Sequence, residues 1–184
     1  EVEPSWIASG VVIPSEQVNV LSEVSGVIEA VNPLAKPGAL LAKGEHLLTI
    51  EQTDYLLNLA TVEAQLIQAQ ADFDLEAAER RLAKEELSFM DNVDKSSLEM
   101  TLVLREPQFK TAQAKLAIAK VNVEKAQVAL QRTQAAMPFR GKIINKNIGL
   151  GSKVGQNSTL FDVVNVDTFW VEVESSGCYY YGAD

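Results

Sequence analysis

The chain has 184 residues, of which 47% are hydrophobic, and its 16 basic and 25 acidic residues give a net charge of −9 at pH 7. This length and composition allow one or two compact domains, and the negative charge argues against electrostatic binding to nucleic acid or anionic lipid. A single cysteine excludes an internal disulfide and a cysteine metal site, and no apolar run reaches the roughly 18–20 residues of a membrane-spanning helix.

The first 51 residues alternate short apolar runs with glycine and proline. Runs of this kind, bounded by turn-forming residues, are typical of short β-strands. The sequence therefore predicts strands around residues 10–14, 18–21, 26–28 and 47–50. The one histidine, His46, lies just before the last of these runs, and we interpret it as a surface or packing residue.

Residues 53–136 are rich in Ala, Gln, Glu, Lys and Leu, lack glycine and contain one proline, a composition typical of helices. In the second half, apolar residues follow a seven-residue repeat at Leu102, Phe109, Ala112, Leu116, Ala119, Val123, Ala126 and Leu130. In the first half a similar repeat runs through Leu59, Val62, Leu66, Ala69 and Phe73 and then shifts by two residues to Leu75, Leu82 and Phe89. These repeats predict two helices that pack as a coiled coil.

The turn between these helices is predicted near residues 91–95, and Ser96 with Glu99 has the spacing of a capping box that starts the second helix. Pro107 follows inside the predicted second helix, where it lacks the N–H group that a helix interior uses. We interpret it as a kink. The alternative is that the helix proper begins near Glu106 and Pro107.

Charged residues cluster toward the end of the first predicted helix, among them Glu76, Glu79 and Arg80. Such a run is normally the solvated face of a helix, and we interpret it so. The glycine-containing stretch 149–152 lacks the Gly-Lys-Ser/Thr ending of a phosphate-binding loop. The sequence therefore predicts no catalytic site.

After Pro138 the pattern of short strands returns, around residues 141–144, 160–164 and 169–173. The two β segments share one spacing, in which Gly38, Leu41, Gly44 and Leu47 match Gly151, Val154, Asn157 and Leu160. Asn157 replaces a glycine at a predicted turn, and asparagine tolerates positive φ best after glycine. One copy has too little surface to bury alone, so the copies are predicted to pair, with the helical insertion folded back as a hairpin.

Several stretches are similar to a known protein family. Residues 24–28, 38–47 and 50–55 resemble the first lipoyl half-motif of periplasmic adaptors, also called membrane fusion proteins, that serve resistance-nodulation-division (RND) transporters. Residues 126–143 resemble the end of the helical hairpin and the strand that follows it in that family, and residues 104–108 resemble a segment of some members. The resemblance covers residues 8–173 and points to the HlyD-like superfamily.

The resemblance implies an α+β fold. Residues 8–52 and 136–166 are expected to form the two halves of a lipoyl-like β-sandwich, flanking a long antiparallel α-helical coiled-coil hairpin at residues 53–135. Residues 167–184 are expected to start a β-barrel domain. Only one barrel strand is predicted there before the atypical sequence around Cys178, so we expect this domain to be truncated.

The resemblance also implies a function: a periplasmic adaptor, not an enzyme, that bridges an inner-membrane RND transporter and a TolC-like outer-membrane channel for efflux of small molecules or metal ions. It implies a place in the periplasm, anchored to or associated with the inner membrane, and self-association into a ring of six adaptors. No cofactor is expected. The hairpin tip, farthest from the β module, is the predicted contact surface for the channel, at Asn92, Val93, Asp94, Lys95, Ser96 and Ser97.

Three alternatives stay open, one of them a cytosolic coiled-coil scaffold, in which a repeated β half-motif would have no purpose. Adaptors of ABC-type or type I export systems share the same parts. A lipoyl or biotinyl carrier domain needs a modifiable lysine between strands, whereas the one Asp-Lys pair, Asp94 and Lys95, falls in the predicted helical turn. The tip also departs from the Arg-Leu-Ser pattern of many pump adaptors, because Glu86 stands eleven residues before Ser97, where that pattern has an arginine.

Overall fold

The computed structural model describes residues 9–89 and 105–174. The chain forms two compact units. The β unit lies within Glu1–Glu51 and Gln134–Asp184, and the helical unit lies within Gln52–Thr133. The chain thus leaves the β unit after Glu51 and returns to it at Gln134.

The described part of the β unit contains ten strands, and each pairs antiparallel with its neighbours. In chain order they are β1 Ser9–Pro14, β2 Gln17–Leu21, β3 Gly26–Val31, β4 Leu40–Leu41, β5 His46–Ile50, β6 Gln134–Ala136, β7 Gly141–Lys146, β8 Lys153–Val154, β9 Thr159–Asn165 and β10 Phe169–Glu174. They form two four-stranded sheets, in the orders β2-β9-β7-β4 and β6-β5-β3-β8, and a two-stranded ribbon of β1 and β10.

Each four-stranded sheet contains strands from both β segments. In one sheet β4 of the first segment pairs with β7 of the second, and in the other β8 of the second segment pairs with β3 of the first. Each strand of the first sheet has an equivalent in the second: β2 corresponds to β6, β9 to β5, β7 to β3 and β4 to β8. The two sheets therefore have the same strand order, as expected for an internal repeat with two-fold symmetry. The predicted pairing of the two copies is confirmed.

Equivalent positions of the two copies supply the core. The matched pairs, all of them buried, are Ile28 with Ile143, Leu41 with Val154, Leu47 with Leu160, Leu48 with Phe161, and Ile50 with Val163. Full burial of one such large side chain stabilises a fold by about 1.5–3 kcal/mol. Because each copy contributes half of this core, neither copy buries its apolar face without the other.

The turn before the last strand of each copy requires a left-handed backbone. Gly44 has φ 80° in the first copy and Asn157 has φ 66° at the matching position of the second. The predicted positive φ of Asn157 is confirmed. The backbone N–H of Asn157 also donates a hydrogen bond of 2.8 Å to the backbone carbonyl of Ser22, which connects this turn to the other copy.

The ribbon of β1 and β10 corrects one detail of the predicted domain 8–52. Residues 10–14 were expected to belong to the sandwich, but Val12 pairs with Val171 and Gly10 with Val173 in the ribbon. The sequence could not indicate this because the pairing joins strands about 160 residues apart, and apolar alternation does not name a partner. β10 coincides with the strand predicted to start a second β domain.

The helical unit consists of α1, Thr53–Ser88, and α2, Glu106–Gln131, which pack antiparallel. At one end the Gln52 side-chain amide donates to the Thr133 hydroxyl (2.6 Å), which in turn donates to the Leu130 carbonyl (2.6 Å). Thr133 is fully buried, so these bonds satisfy a hydroxyl group that would otherwise be costly to remove from water.

The predicted seam of α2 is confirmed along its described length. Ala112, Leu116, Ala119 and Ala126 are buried. Phe109, Val123 and Leu130, the other members of the same seven-residue repeat, are half-buried. The second helix therefore presents alternating large and small residues to the first, as an antiparallel coiled coil requires.

The predicted shift of the α1 seam is wrong. Leu75 and Leu82 are exposed, and Phe89 is 87% exposed. The original repeat instead continues unshifted after Phe73, and its next positions are half-buried at Glu76, Arg80, Ala83 and Leu87. Two of these residues are charged. A prediction based on hydropathy alone therefore assigned the seam to the neighbouring leucines.

The interpretation of Pro107 as a kink is also wrong, and the alternative start near Glu106 is confirmed. Helix α2 begins at Glu106, so Pro107 lies in its first turn, where a helix makes no use of the missing N–H group. Arg105, immediately before the helix, has a left-handed backbone with φ 54°. The predicted turn at 91–95 and the capping box at Ser96 lie outside the described residues.

Neither of the described helices is long and apolar enough to cross a membrane.

Candidate functional site

The six residues predicted to contact a channel, Asn92, Val93, Asp94, Lys95, Ser96 and Ser97, all lie outside the described residues. They fall in the stretch that joins the end of α1 to the start of α2. The last level at which the structure describes both helices is that of Glu76 and Arg105, so the site is built from there.

Five charged residues form a layer across the two helices, which we call the charged layer: Glu76, Glu79, Arg80, Arg105 and Glu106. Arg105 donates to both carboxylate oxygens of Glu76 at 3.0 Å and lies 2.6 Å from a Glu79 oxygen. Arg80 pairs with Glu106 in the opposite direction, from α1 to α2. The two sets of ion pairs thus run in both directions: an arginine at the start of α2 binds carboxylates of α1, and an arginine of α1 binds a carboxylate of α2.

Local sequence places these groups. Glu76, Glu79 and Arg80 are three and four residues apart, which puts all three on one face of α1. Arg105 has a left-handed backbone and immediately precedes α2, and its guanidinium reaches that face of α1. The acidic side chain of Glu106 lies in the first turn of α2, where the helix dipole favours negative charge.

An aromatic pair lies beside the charged layer. The rings of Phe73 and Phe109 are 5.2 Å apart, and the Arg80 guanidinium stands 4.6 Å above the Phe109 ring. A cation over a ring contributes about 0.5–2 kcal/mol, more when it is shielded from water. The Arg80 side chain therefore contacts both the apolar seam, at Phe109, and the charged layer, at Glu106.

The charged layer corrects the interpretation of Glu76, Glu79 and Arg80 as a solvated face. The side chains of Glu76 and Arg80 are only 23% and 22% exposed. Polar residues at seam positions fix the alignment of paired helices, because a shift of one turn would leave them unpaired and partly buried. The arrangement therefore sets the register of α1 against α2 at the end that leads to the predicted tip.

Sequence reasoning missed the charged layer although a signal was present. The seven-residue repeat that contains Phe73 continues at Arg80 and reaches Leu87. Residues of opposite charge, Arg105 and Glu106, stand beside Phe109 in the other helix. A prediction that continued the seven-residue repeat of α1 and accepted charged residues at its positions would have identified these ion pairs.

No resident metal site is seen in the described part of the chain: among residues 9–89 and 105–174, no group of three or more His, Cys, Asp or Glu side chains could hold an ion. The carboxylates of the charged layer are instead neutralised by arginines. The ion pairs of the charged layer hold the two helices in one alignment.

A family model described as a CzcB-like, barrel-sandwich hybrid domain matches residues 16–165. Among curated proteins, the cation efflux system protein CzcB of Alcaligenes sp. (strain CT14) is 27% identical over 177 residues. The aligned part is 90% of this chain and 32% of that protein, so the chain spans about a third of the length of this relative.

Solved structures show the same fold. A membrane fusion protein from Streptococcus pneumoniae R6 has a TM-score of 0.62 at 16% identity, covering 88% of this chain and 64% of the other. The periplasmic adaptor protein EmrA has a TM-score of 0.61 at 14% identity, covering 91% and 77%. The match over residues 16–165, with its two paired β segments around a helical hairpin, is decisive. The chain belongs to the family of CzcB-like proteins with a barrel-sandwich hybrid domain, the membrane fusion protein family that its motifs resemble.

Proposed function

We propose that this chain is the central part of a periplasmic adaptor of an RND-type tripartite efflux pump. The adaptor, held at the inner membrane, bridges the transporter and a TolC-like outer-membrane channel, and the cargo is a metal ion or another small molecule. It carries out no catalysis. The observation that supports this most strongly is the membership of residues 16–165 in the CzcB-like family.

Two further observations support the proposal. A similar protein over 90% of this chain is named as a cation efflux system protein, which favours a cation as the cargo. The helical hairpin is also suited to spanning a distance, because the 36 residues of α1 extend over about 54 Å at 1.5 Å per residue. A coiled coil with a fixed register transmits position along that length.

We further propose that the residues between α1 and α2, Asn92 to Ser97, contact the channel. The hydrogen bonds of Gln52 and Thr133 mark the end of the hairpin next to the β segments in sequence, and the charged layer marks the other end of the part in which both helices are described. Fixing the register of both helices there favours a defined presentation of the joining residues.

The function is tested in a strain that lacks the full-length gene. We expect this strain to become sensitive to a divalent metal such as zinc or to a small toxic compound, and the wild-type gene to restore resistance. The double variant Val93→Asp with Lys95→Glu should fail to restore it, because an acidic tip removes both the apolar and the basic side chain from the contact. Resistance is measured as the lowest inhibitory concentration.

The matched control is Gln65→Asp with Lys84→Glu, which makes the same change in charge at exposed positions of α1. It should restore resistance, and all variants should keep the wild-type melting temperature and abundance. A deletion strain as resistant as its parent to every compound would refute the efflux role. Full resistance with the tip variant would refute the tip contact alone. An ABC transporter co-purifying with the tagged adaptor, in place of an RND protein, would favour the ABC-type export system.

A further inference from the structure

The two copies of the β repeat carry a carboxamide side chain at the same place. The same 113 residues separate Gln52 from Asn165 and Ile50 from Val163, which are the last buried residues of β5 and β9. Both carboxamides therefore stand where the chain leaves a copy of the repeat. Gln52 leads into the helical hairpin, and Asn165 leads into the ribbon of β1 and β10.

Each of these side chains donates to the segment that leads into a copy. Gln52 donates from Nε2 to the Thr133 hydroxyl at 2.6 Å, and Asn165 donates from Nδ2 to the Glu16 carboxylate at 3.4 Å. Thr133 precedes β6 and Glu16 precedes β2, and these two strands are equivalent in the repeat. A carboxamide that recurs at both exits, once before a helix and once before a strand, indicates a role in joining the leaving and entering segments.

Gln52 does not act as a helix cap. It is the N-cap residue of α1, yet its side chain makes no capping hydrogen bond. Ser, Thr, Asp and Asn stabilise a helix best from this position, because their short side chains reach the free N–H groups of the first turn. The longer glutamine side chain instead extends to Thr133, so the local stability of α1 does not account for the residue found here.

Thr133 passes this contact on to α2. Its hydroxyl accepts from Gln52 and donates to the Leu130 carbonyl at 2.6 Å, and the residue is fully buried. A valine would have nearly the same shape and would bury no polar group, so what the hydroxyl adds at this place is its two hydrogen bonds. The bonds run from the start of α1 to the last turn of α2, and we call Gln52, Thr133 and Leu130 the base clasp.

We propose that Gln52 and Thr133 are positioning residues of the adaptor, and that their hydrogen bond holds the two chain connections of the hairpin at a fixed separation. The helical unit continues into the β unit through two peptide links only, between Glu51 and Gln52 and between Thr133 and Gln134. The inference rests on the proposed bridging function and names residues that fix the hairpin for that task. The base clasp and the charged layer then hold α1 against α2 at two separate levels.

The length of the hairpin makes this separation important. If one helix slips by one residue, about 1.5 Å, against a neighbour roughly 9 Å away, the pair tilts by about 10° and its far end, about 54 Å distant, moves by about 9 Å. A displacement of that size exceeds the reach of hydrogen bonds and of close apolar contacts. A partner bound at the far end therefore meets a defined surface only if the two connections move together.

Amide hydrogen exchange of the purified 184-residue chain, followed by nuclear magnetic resonance, tests the base clasp. Gln52→Met keeps the length of the side chain, removes its donor and leaves the bond from Thr133 to Leu130 in place. We expect exchange to rise roughly threefold to tenfold at the amides of Arg132 and Thr133, at the end of the other helix. Thr133→Val should raise exchange to a similar degree at Leu56, whose amide donates to the Gln52 carbonyl in α1.

Two control variants accompany these measurements. Thr133→Ser keeps the hydroxyl and should retain the wild-type exchange rate at Leu56. Thr111→Val makes the same substitution at an exposed residue of α2, where the hydroxyl donates only to the Pro107 carbonyl of its own helix. It should leave the exchange rate at Leu56 unchanged. If Thr133→Val unfolds the hairpin, Gln52→Met decides alone, because it leaves the buried hydroxyl in place.

The positioning role is tested in the full-length adaptor. In the deletion strain, Gln52→Met and Thr133→Val should restore resistance only in part, at wild-type abundance and melting temperature. Thr133→Ser and Thr111→Val should restore it fully. A residue that served stability alone would lower abundance or melting temperature together with resistance.

Three results would count against the account in different ways. A wild-type exchange rate at Arg132 and Thr133 in Gln52→Met would overturn the base clasp, because the bond from Thr133 to Leu130 would then act within α2 alone. Faster exchange with full resistance in both variants would overturn the positioning role. Wild-type resistance of the deletion strain itself would refute the efflux role and leave the base clasp standing.

Discussion

Replacing Leu116 with Asp should separate the two helices of the hairpin while the β unit stays folded. Leu116 is buried in the seam of α2, so the variant loses apolar contacts and places a carboxylate without a cationic partner against α1. Loss of a buried leucine costs about 2–5 kcal/mol, and an unpaired buried charge adds several more. A coiled coil of two helices depends on few layers, so we expect most of the helical signal to be lost.

The measurement is a thermal melt followed by circular dichroism at 222 nm, with nuclear magnetic resonance spectra to report on the β unit. The control is Gln113→Asp, which places the same side chain at an exposed position three residues earlier in α2. It should melt within a few degrees of the wild type. If the Leu116 variant melts like the control, this face of α2 is not the seam.

Replacing Phe161 with Ala should have a similarly large effect on the β unit. Phe161 is fully buried in β9, at the position that matches Leu48 in the first copy. Truncating a buried phenylalanine to alanine costs about 3–5 kcal/mol, which combines the lost transfer free energy with the cavity left behind. Because total stabilities of domains are about 5–15 kcal/mol, this loss is a large fraction of the whole.

Urea denaturation followed by the nuclear magnetic resonance signals of the β unit measures this loss without interference from the helices. The control is Phe169→Ala, since Phe169 is 57% exposed and lies in the ribbon of β1 and β10. Its free energy of unfolding should change by less than about 1 kcal/mol. Equal losses for both variants would show that the core is not centred on the paired copies.

The pairing of the two β copies could be predicted because the same short spacing of glycine and apolar residues occurs twice in the sequence. Gly44 and Asn157 stand at matching places, and each demands a backbone conformation that few residues adopt. Because both positions require a positive φ and stand at the same place in the repeated spacing, the sequence predicts the same turn in each copy. The seam of α2 was equally clear, because Leu116 and its alanine neighbours keep one repeat without interruption.

The errors arose where physics other than hydropathy decides. Arg80 occupies a seam position because Glu106 and the Phe109 ring compensate it, and a count of apolar residues cannot register that compensation. Pro107 fits the first turn of a helix, but only the backbone of Arg105 shows that the helix starts there. The partner of β1 lies at the other end of the chain, and alternation along one strand does not identify it.

Crosslinking in living cells can show whether the hairpin end meets an outer-membrane channel. A photoreactive amino acid is placed at position 93 of the full-length adaptor and, as a control, at position 65 on the exposed side of α1. An adaptor that couples to the channel through this end gives an adduct with an outer-membrane channel protein from position 93, and none with that protein from position 65. No channel adduct from position 93, with the adaptor at normal abundance and the pump active, would contradict a bridging role for the hairpin.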